Sequence, residues 1–586
     1  MMAGGRTKVV SMDEAACAIP GGAVVSVSSS SGLGCPDTVL RALGERFLAT
    51  GEPRGLTTVH PIAAGDMYGI DGVDHLAHEG LLRRIIAGSY PSGPSLLPSP
   101  RIWRMIDEDR VEAYNLPSGV LFHMHREAAA GRPGVLTPVG LDTFVDPRRQ
   151  GGRMNGVTTA DIVQVREFDG QEYLYYPAIP IDVAIIRGTT ADEDGNVSME
   201  HEGAYLGALD QALAAHNNGG VVIAQVKRVA AAGSLPAQMV RVPSVLVDLV
   251  VEAPEQLQTT ETPYDPAISG EVRRPASSFD IAEWGADKTI ARRAAMELRA
   301  GDAVNLGFGI SALVPRVLLE EGLHDAVTWV IEQGAVGGMP LLGFGFGCAA
   351  NARAIVASPD QFTYFQGGGF DRSLLSFMQV DAQGNVNVSR LAGRPHVTAG
   401  AGGFIDITAR ARHLVFSGYF TAGGLEVALE DGRVRIVREG RARKFVPGEV
   451  EHVTFSGRRA HAQGQQVTYV TERCVLRLLP EGLTVTEVAP GIDLRRDVLG
   501  QTSIPLRVSP DLRAMDGRIF RPEPMGLQLG PATAVAWQRT DTAVSEPATA
   551  VAWQTTALDR DRPQPVGGQS AMGRLRSGAD GGGVTT

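Results

Sequence analysis

Short apolar runs alternate with helical patterns along most of this chain. "PGGAVVSVSSSSGLG" (Pro20–Gly34), "IDVAIIRG" (Ile181–Gly188), "GVVIAQV" (Gly220–Val226), "PSVLVDLVVEA" (Pro243–Ala253) and "TWVI" (Thr328–Ile331) are β-rich stretches separated by segments of helical character. Strands that are apolar throughout, rather than at every second residue, need cover on both faces. The pattern therefore predicts an α/β fold of open, largely parallel sheets with flanking helices.

The pattern also divides the chain. A first segment, residues 1–251, is followed by a stretch with little apolar periodicity. That stretch contains Thr259, Thr260, Glu261, Thr262, Pro263, Asp265, Pro266 and Pro275. It reads as an inter-domain linker over residues 252–286. A second segment of α/β character covers 287–510. Residues 511–586 are assigned to a low-complexity tail that lacks the composition to order itself. Beyond about Gly530 this tail carries "PATAVAWQ" twice and then mostly Gly, Ser, Asp, Arg and Thr.

The two large segments resemble each other. "PGGAVVSVSSSSGLG" matches "AGDAVNLGFGISA" (Ala300–Ala312) as a strand running into a Gly/Ser turn and then a helix. "DEDGNVS" (Asp192–Ser198) matches "DAQGNVN" (Asp381–Asn387). Two matches in the same order predict two tandem related domains.

Composition narrows the function. A chain of 586 residues exceeds what one core usually serves. The net charge of -11 disfavours a nucleic-acid binder, which needs a basic face; a local site can still hold an anionic ligand. No apolar run approaches the roughly 18 to 20 residues of a membrane span. Asp13 and Glu14 interrupt the N-terminus where a signal peptide would be apolar. Cys17, Cys35, Cys348 and Cys474 are widely spaced and form no metal or redox motif, which fits buried or incidental thiols in a reducing, cytoplasmic setting. "HLAHE" (His75–Glu79) has neither zinc-protease spacing, so no metal site is expected.

The candidate chemistry is concentrated in "TWVIEQGAVGGMPLLGFGFGCAAN" (Thr328–Asn351). Glu332 ends the apolar strand, and Gly334, Gly337 and Gly338 follow. Ligands of open α/β sheets bind outside the carboxyl ends of strands. A carboxylate on a turn nearly free of side chains can be approached closely, and it can attack an acyl centre directly. "FQGGGFD" (Phe365–Asp371) offers Gly367, Gly368 and Gly369 for close backbone approach, and "HVTAGAGGFIDI" (His396–Ile407) offers N–H groups that can converge on an oxyanion. "VNLGFGISA" (Val304–Ala312), with Gly307 and Gly309, also fits the dinucleotide fingerprint. That leaves a nicotinamide-dependent oxidoreductase open as a rival.

Taken together, these stretches resemble the family I CoA-transferases. The nearest type is the single-chain acetate/short-chain acyl-CoA and 3-oxoacid CoA-transferase with fused halves. The matching stretches in the first half are "DHLAHEGLLRRIIAGSY", "VEAYNLPSGV" and "LDTFVDPRRQGGRMN". In the second half they are "VNLGFGI", "IEQGAVGG", "FQGGGFD", "DAQGNVNVS", "GGFIDI", "FTAGGL", "TERCVLRL" and "EVAPGID". The resemblance implies ping-pong transfer of CoA from a short-chain acyl-CoA to a carboxylic acid, through a glutamyl-CoA thioester on Glu332. It implies an oxyanion site at the backbone of Gly400, Ala401 and Gly402, with Ser118 near the reacting centre, and CoA contacts at Gly307, Gly309, Gly367, Gly368, Gly369 and Asn385. CoA is a substrate, with no cofactor held permanently. Partners are acyl-CoA and small carboxylic acids rather than nucleic acid or membrane, in a homodimer or homotetramer. Two departures stand out. Ser118 occupies the place of the family's frequent Gln, which leaves an acyl-CoA hydrolase open as an alternative. Ser311 stands where Pro is frequent and is expected to act as a helix N-cap.

Overall fold

A computed structural model describes residues 8–66, 68–92, 98–394 and 397–531. The "PATAVAWQ" repeat from Ala532 onward, and His396 at the head of the third glycine-rich turn, lie outside the described residues.

Each half is built on a ten-stranded sheet. In the first, eight strands run in the order Val9–Val10, Leu249–Glu252, Val221–Ala230, Val183–Asp192, Val24–Val27, Leu56–His60, Leu82–Ala87 and Glu112–Asn115, every neighbouring pair parallel, and the short strands Val197–Ser198 and Val240–Val242 add antiparallel pairs beside Val183–Asp192. All ten residues of Val183–Asp192 are buried, as expected of a strand covered on both faces. Helix Asp37–Thr50 covers one face and stops at Gly51, whose φ of 75° suits a left-handed helix end.

The second sheet is mixed. Its centre is five parallel strands in the order Thr328–Val330, Ala303–Leu306, Arg372–Ser376, His413–Ser417 and Gln466–Val470. Antiparallel strands extend both flanks, among them Ala335–Val336 on one side and Cys474–Leu479 with Gly482–Val488 on the other.

The halves repeat one topology. Val24–Val27 lies between Val183–Asp192 and Leu56–His60, as Ala303–Leu306 lies between Arg372–Ser376 and Thr328–Val330. The matched "GNV" motifs repeat atom for atom. Asn196 donates its N–H and Nδ2 to Asp192 at 2.8 and 2.9 Å, and Asn385 does the same to Asp381 at 3.0 and 2.9 Å.

One sequence boundary needs correction. The tail assigned to 511–586 begins too early: Arg507–Ala514 is a strand parallel to Gly482–Val488, and Met515, Ile519, Phe520 and Met525 form a small core with Val475. The signal lies in those apolar residues, which are spaced too irregularly to show a period. The stretch 252–286 connects the halves but is packed rather than loose. Gln258 and Thr259 are buried, Asp265 caps helix Pro266–Ser269, and Asn351 N–H donates to Ala267 O at 2.9 Å. Side-chain and backbone hydrogen bonds hold this strap in place of apolar periodicity.

The two cores interlock. Ala401 and Ile405 of the second half pack among Tyr114, Leu116 and Val120 of the first, while Ile62 and Phe122 of the first pack among Phe362 and Phe404 of the second.

Candidate active site

The strand Thr328–Val330 ends in a tight turn. Ile331 N–H donates to Ala335 O, and Gly334 N–H to Ile331 O, both at 2.9 Å. Gly334 has φ 121°, and a Cβ there would collide with Val356 O, so glycine is required. This geometry lifts Glu332 off the carboxyl end of the sheet. Register places Asn305 beside Val330, so Gly307 and Gly309 leave the neighbouring strand next to Glu332. Both glycines thus follow the carboxyl end of Ala303–Leu306, on the edge that carries Glu332.

The Glu332 side chain is half-buried at the junction of the halves. Gln333 Nε2 donates to Oε1 at 3.2 Å and to Ser30 Oγ of the first half at 3.2 Å. On the other side Gly403 is pressed against it: a Cβ on Gly403 would collide with Glu332 Oε2 and sit 2.7 Å from the Phe362 ring. Two buried polar atoms nearby, Gln333 Oε1 and Ser118 Oγ, have no hydrogen-bond partner among the described residues. Unpaired buried polar atoms of this kind mark places where a ligand or solvent completes the bonding.

The first half supplies the other wall. Asn115, at the end of Glu112–Asn115, donates Nδ2 to Ala87 O at 3.0 Å and Gly88 O at 2.7 Å, and accepts Ala401 N–H at 2.8 Å. Gly402 N–H donates to Gly88 O at 2.7 Å, and Ser118 N–H to Gly402 O at 2.9 Å. Ser118 therefore meets the 400–403 turn. The oxyanion assignment changes. The N–H groups of Ala401 and Gly402 are already committed, whereas those of Gly400 and Gly403 have no hydrogen-bond partner among the described residues.

Electrostatics set the site apart. Protein packed around the Glu332 carboxyl pushes it up to about 7, with the Gln333 amide opposing. Asp406, one helical turn beyond Gly403 and fully buried, is likewise pushed up to about 7. Burial is the main cause there, and the nearby Glu332 charge adds to it. Two carboxyls held near neutrality at a domain junction are the kind of perturbed pair that marks functional sites.

Other predicted contacts fall elsewhere. Gly367, Gly368 and Gly369 end helix Ser358–Gln366 and precede Arg372–Ser376, so they lie at the amino edge of the sheet, opposite Glu332. Their freedom serves a reversal: Gly368 has φ 72°, and a Cβ on Gly369 would strike the Tyr364 ring. Asn385 is buried and fully engaged. Besides its bonds to Asp381, its Oδ1 accepts Gly457 N–H at 2.9 Å. Both corrections have one cause: glycine and Asn-Gly turns look alike in sequence whether they shape a site or a chain reversal. Asn385→Ala is expected to cost about 1–3 kcal/mol of stability through unpaired buried groups, with KM for acyl-CoA within twofold of wild type. Chemical denaturation and steady-state kinetics measure the two. Ser311 is not an N-cap; its hydroxyl donates to Leu375 O at 2.8 Å, and a 3-10 turn, Ile310–Leu313, precedes the short helix Val314–Glu320. Sequence reading did not single out Gly403, Asp406, Asn115 or Gln333. All four stand inside quoted motifs, Gln333 next to Glu332, but only the fold brings them together.

Comparison with known proteins identifies the family. Residues 9–253 match the Coenzyme A transferase family. The chain is 40% identical to acetate CoA-transferase YdiF of Escherichia coli K12, over 90% of this chain and 98% of that protein. It is 42% identical to caffeate CoA-transferase of Acetobacterium woodii, over 88% and 97%. It superimposes on the crystal structure of E. coli O157:H7 acyl-CoA transferase YdiF, solved as a thioester complex with CoA, with a TM-score of 0.83 at 40% identity, covering 90% of this chain and 98% of that one. The nicotinamide reading of "GFGISA" is thereby left without support, and this chain belongs to the CoA-transferases.

Proposed function

We propose that the enzyme moves CoA between carboxylic acids by covalent catalysis on Glu332, with short-chain acyl-CoA as donor and acetate or 3-oxoacids as acceptors. The observation that carries this reading is the placement of Glu332: a carboxylate on a glycine turn, at the carboxyl edge of a sheet, against Gly403, with its neighbour Gln333 reaching Ser30 of the first half.

The ionised Glu332 attacks the thioester carbonyl of the donor. The tetrahedral oxyanion is stabilised by preorganised N–H donors, for which Gly400 and Gly403 are the candidates; one such donor is worth about 3–4 kcal/mol in comparable sites. The C–S bond breaks, CoA leaves as thiolate, and an acyl-glutamyl anhydride remains. The thiolate then attacks the glutamyl carbonyl, expelling the first carboxylate and leaving glutamyl-CoA. An acceptor carboxylate reverses these steps and leaves as the new acyl-CoA. No nucleotide is consumed, because each intermediate keeps the activation of the thioester. The large CoA moiety supplies binding energy that is used at the small reacting centre.

The test is to incubate the enzyme with acyl-CoA alone and weigh the tryptic peptide that contains Glu332. A mass increase equal to CoA less water on that peptide, with ping-pong kinetics, is expected. An unmodified Glu332 peptide in an active enzyme would refute the assignment. Release of CoA without any acceptor, at a rate near that of transfer, would instead identify a hydrolase.

A further inference from the structure

The second carboxyl of the site takes no part in the chemistry described above. Asp406 sits on helix Phe404–Thr408 with no exposed surface. Its Oδ2 accepts Gly119 N–H at 3.0 Å, in the first turn of helix Ser118–Ala129, and its Oδ1 accepts Gln366 Nε2 at 2.8 Å. One residue of the second half thus fixes a helix end of the first half and the end of helix Ser358–Gln366. No Lys or Arg forms an ion pair with it among the described residues. The same Phe362 ring that backs Gly403 also backs Gly119: a Cβ on Gly119 would lie 2.7 Å from both Phe362 and Asp406 Oδ1. Glu332 and Asp406 are therefore packed about one aromatic ring, with only hydrogen-bond donors to compensate them.

We propose that Asp406 is a positioning residue for Glu332: it pins helix Ser118–Ala129 to the 400–403 turn through Gly119, and its charge behind the nucleophile makes Glu332 a more reactive carboxylate.

The groups that face Asp406 define what it can do. Glu332 approaches from the turn after Thr328–Val330. Helix Ser118–Ala129 presents the N–H groups of Gly119 and Val120, and helix Ser358–Gln366 presents the Gln366 amide. The strand Gln171–Pro177 brings the Tyr176 phenol, which stays neutral and donates to Val139 O at 2.9 Å. Among these neighbours Glu332 changes charge near neutrality, as Asp406 itself does, so the two carboxyls titrate as a coupled pair. A negative charge beside a carboxylate makes it hold its proton to higher pH. Nucleophilicity rises with basicity, so a neutral residue at 406 leaves a Glu332 that ionises at lower pH and attacks more slowly.

The experiment compares pH profiles of kcat/KM for wild type, Asp406→Asn and Asp406→Ser. Asn keeps the shape of the side chain, while Ser keeps an acceptor for Gly119 N–H in a smaller side chain, so the second serves if the first does not fold. The acid limb is expected to move to lower pH by half a unit or more, with the plateau reduced about tenfold and KM for acyl-CoA little changed. A structural defect alone would lower the plateau and leave the limb in place. An unmoved acid limb in a folded variant overturns the proposal. The inference rests on Glu332 as nucleophile, and the two failures are distinguishable: loss of that reading shows as an unlabelled Glu332 peptide in wild type, loss of this one as an unshifted limb in an enzyme that still forms the adduct.

Discussion

Glu332→Ala is expected to lower CoA transfer by at least about 10^4-fold, because removing the nucleophile of a covalent mechanism removes the pathway rather than weakening it. The variant should take up no CoA on incubation with acyl-CoA, read by intact-protein mass. Folding is not the cause of this loss, and the sign of the electrostatics shows why. The folded carboxyl is raised from 4.5 to about 7. Ionising it is harder in the folded state than in the unfolded chain. Its stability contribution is therefore fully present below about 4.5 and is lost as pH rises through about 7. At pH 8 the ionised side chain is a cost that Glu332→Gln relieves. That variant should melt no lower than wild type at pH 8 and show no gain at pH 4.5. Because Glu332 keeps an open face, the relief is about 1–2 kcal/mol, below what the full shift would give. A wild-type transfer rate in the Ala variant would dismiss Glu332 as the nucleophile.

How much of this could be read beforehand follows from how local each signal is. The strands Val183–Asp192 and Val221–Ala230 announce themselves by the apolar runs that open them, Val183–Ile186 and Val221–Ala224, because burial on both faces selects apolar residues at successive positions. Glu332 was legible because the residues that make its turn, Gly334 above all, are its immediate neighbours. The duplication was legible because the Asp-x-x-Gly-Asn-Val turn is self-contained, and the same containment misled the assignment of Asn385 to CoA. Asp406 illustrates the opposite case. In sequence it is one acid in an amphipathic stretch, with the ordinary expectation of a solvated carboxylate. Its meaning comes from Gly119, distant by 287 residues along the chain, and Gln366, distant by 40. The oxyanion candidates divide for a related reason. Gly400, Ala401 and Gly402 carry equivalent amides on paper, and only partners from the first half, Asn115 Oδ1 and Gly88 O, decide which are committed.

That commitment makes adjacent glycines behave differently when each receives a methyl group. Gly402 has φ 54° and no atom within 4 Å of where its Cβ would stand; Gly403 has φ -83° and no room. Gly402→Ala should therefore lose about 1–2 kcal/mol of stability to backbone strain while its turnover stays near wild type. Gly403→Ala suffers no backbone strain. Its methyl group must displace either the Phe362 ring or the end of the Glu332 side chain. The ring is locked in a core with Phe122 and Phe365, so the flexible carboxylate moves. Shifting a nucleophile by about 1 Å costs on the order of 10^2-fold in rate; alanine keeps the backbone N–H at 403, so the oxyanion donor itself is retained. The expected signature is a fall in kcat with CoA affinity preserved and a melting temperature closer to wild type than that of Gly402→Ala. The reverse pattern, with rate lost at 402 and kept at 403, would mean that the working enzyme holds Glu332 on the other side of the turn.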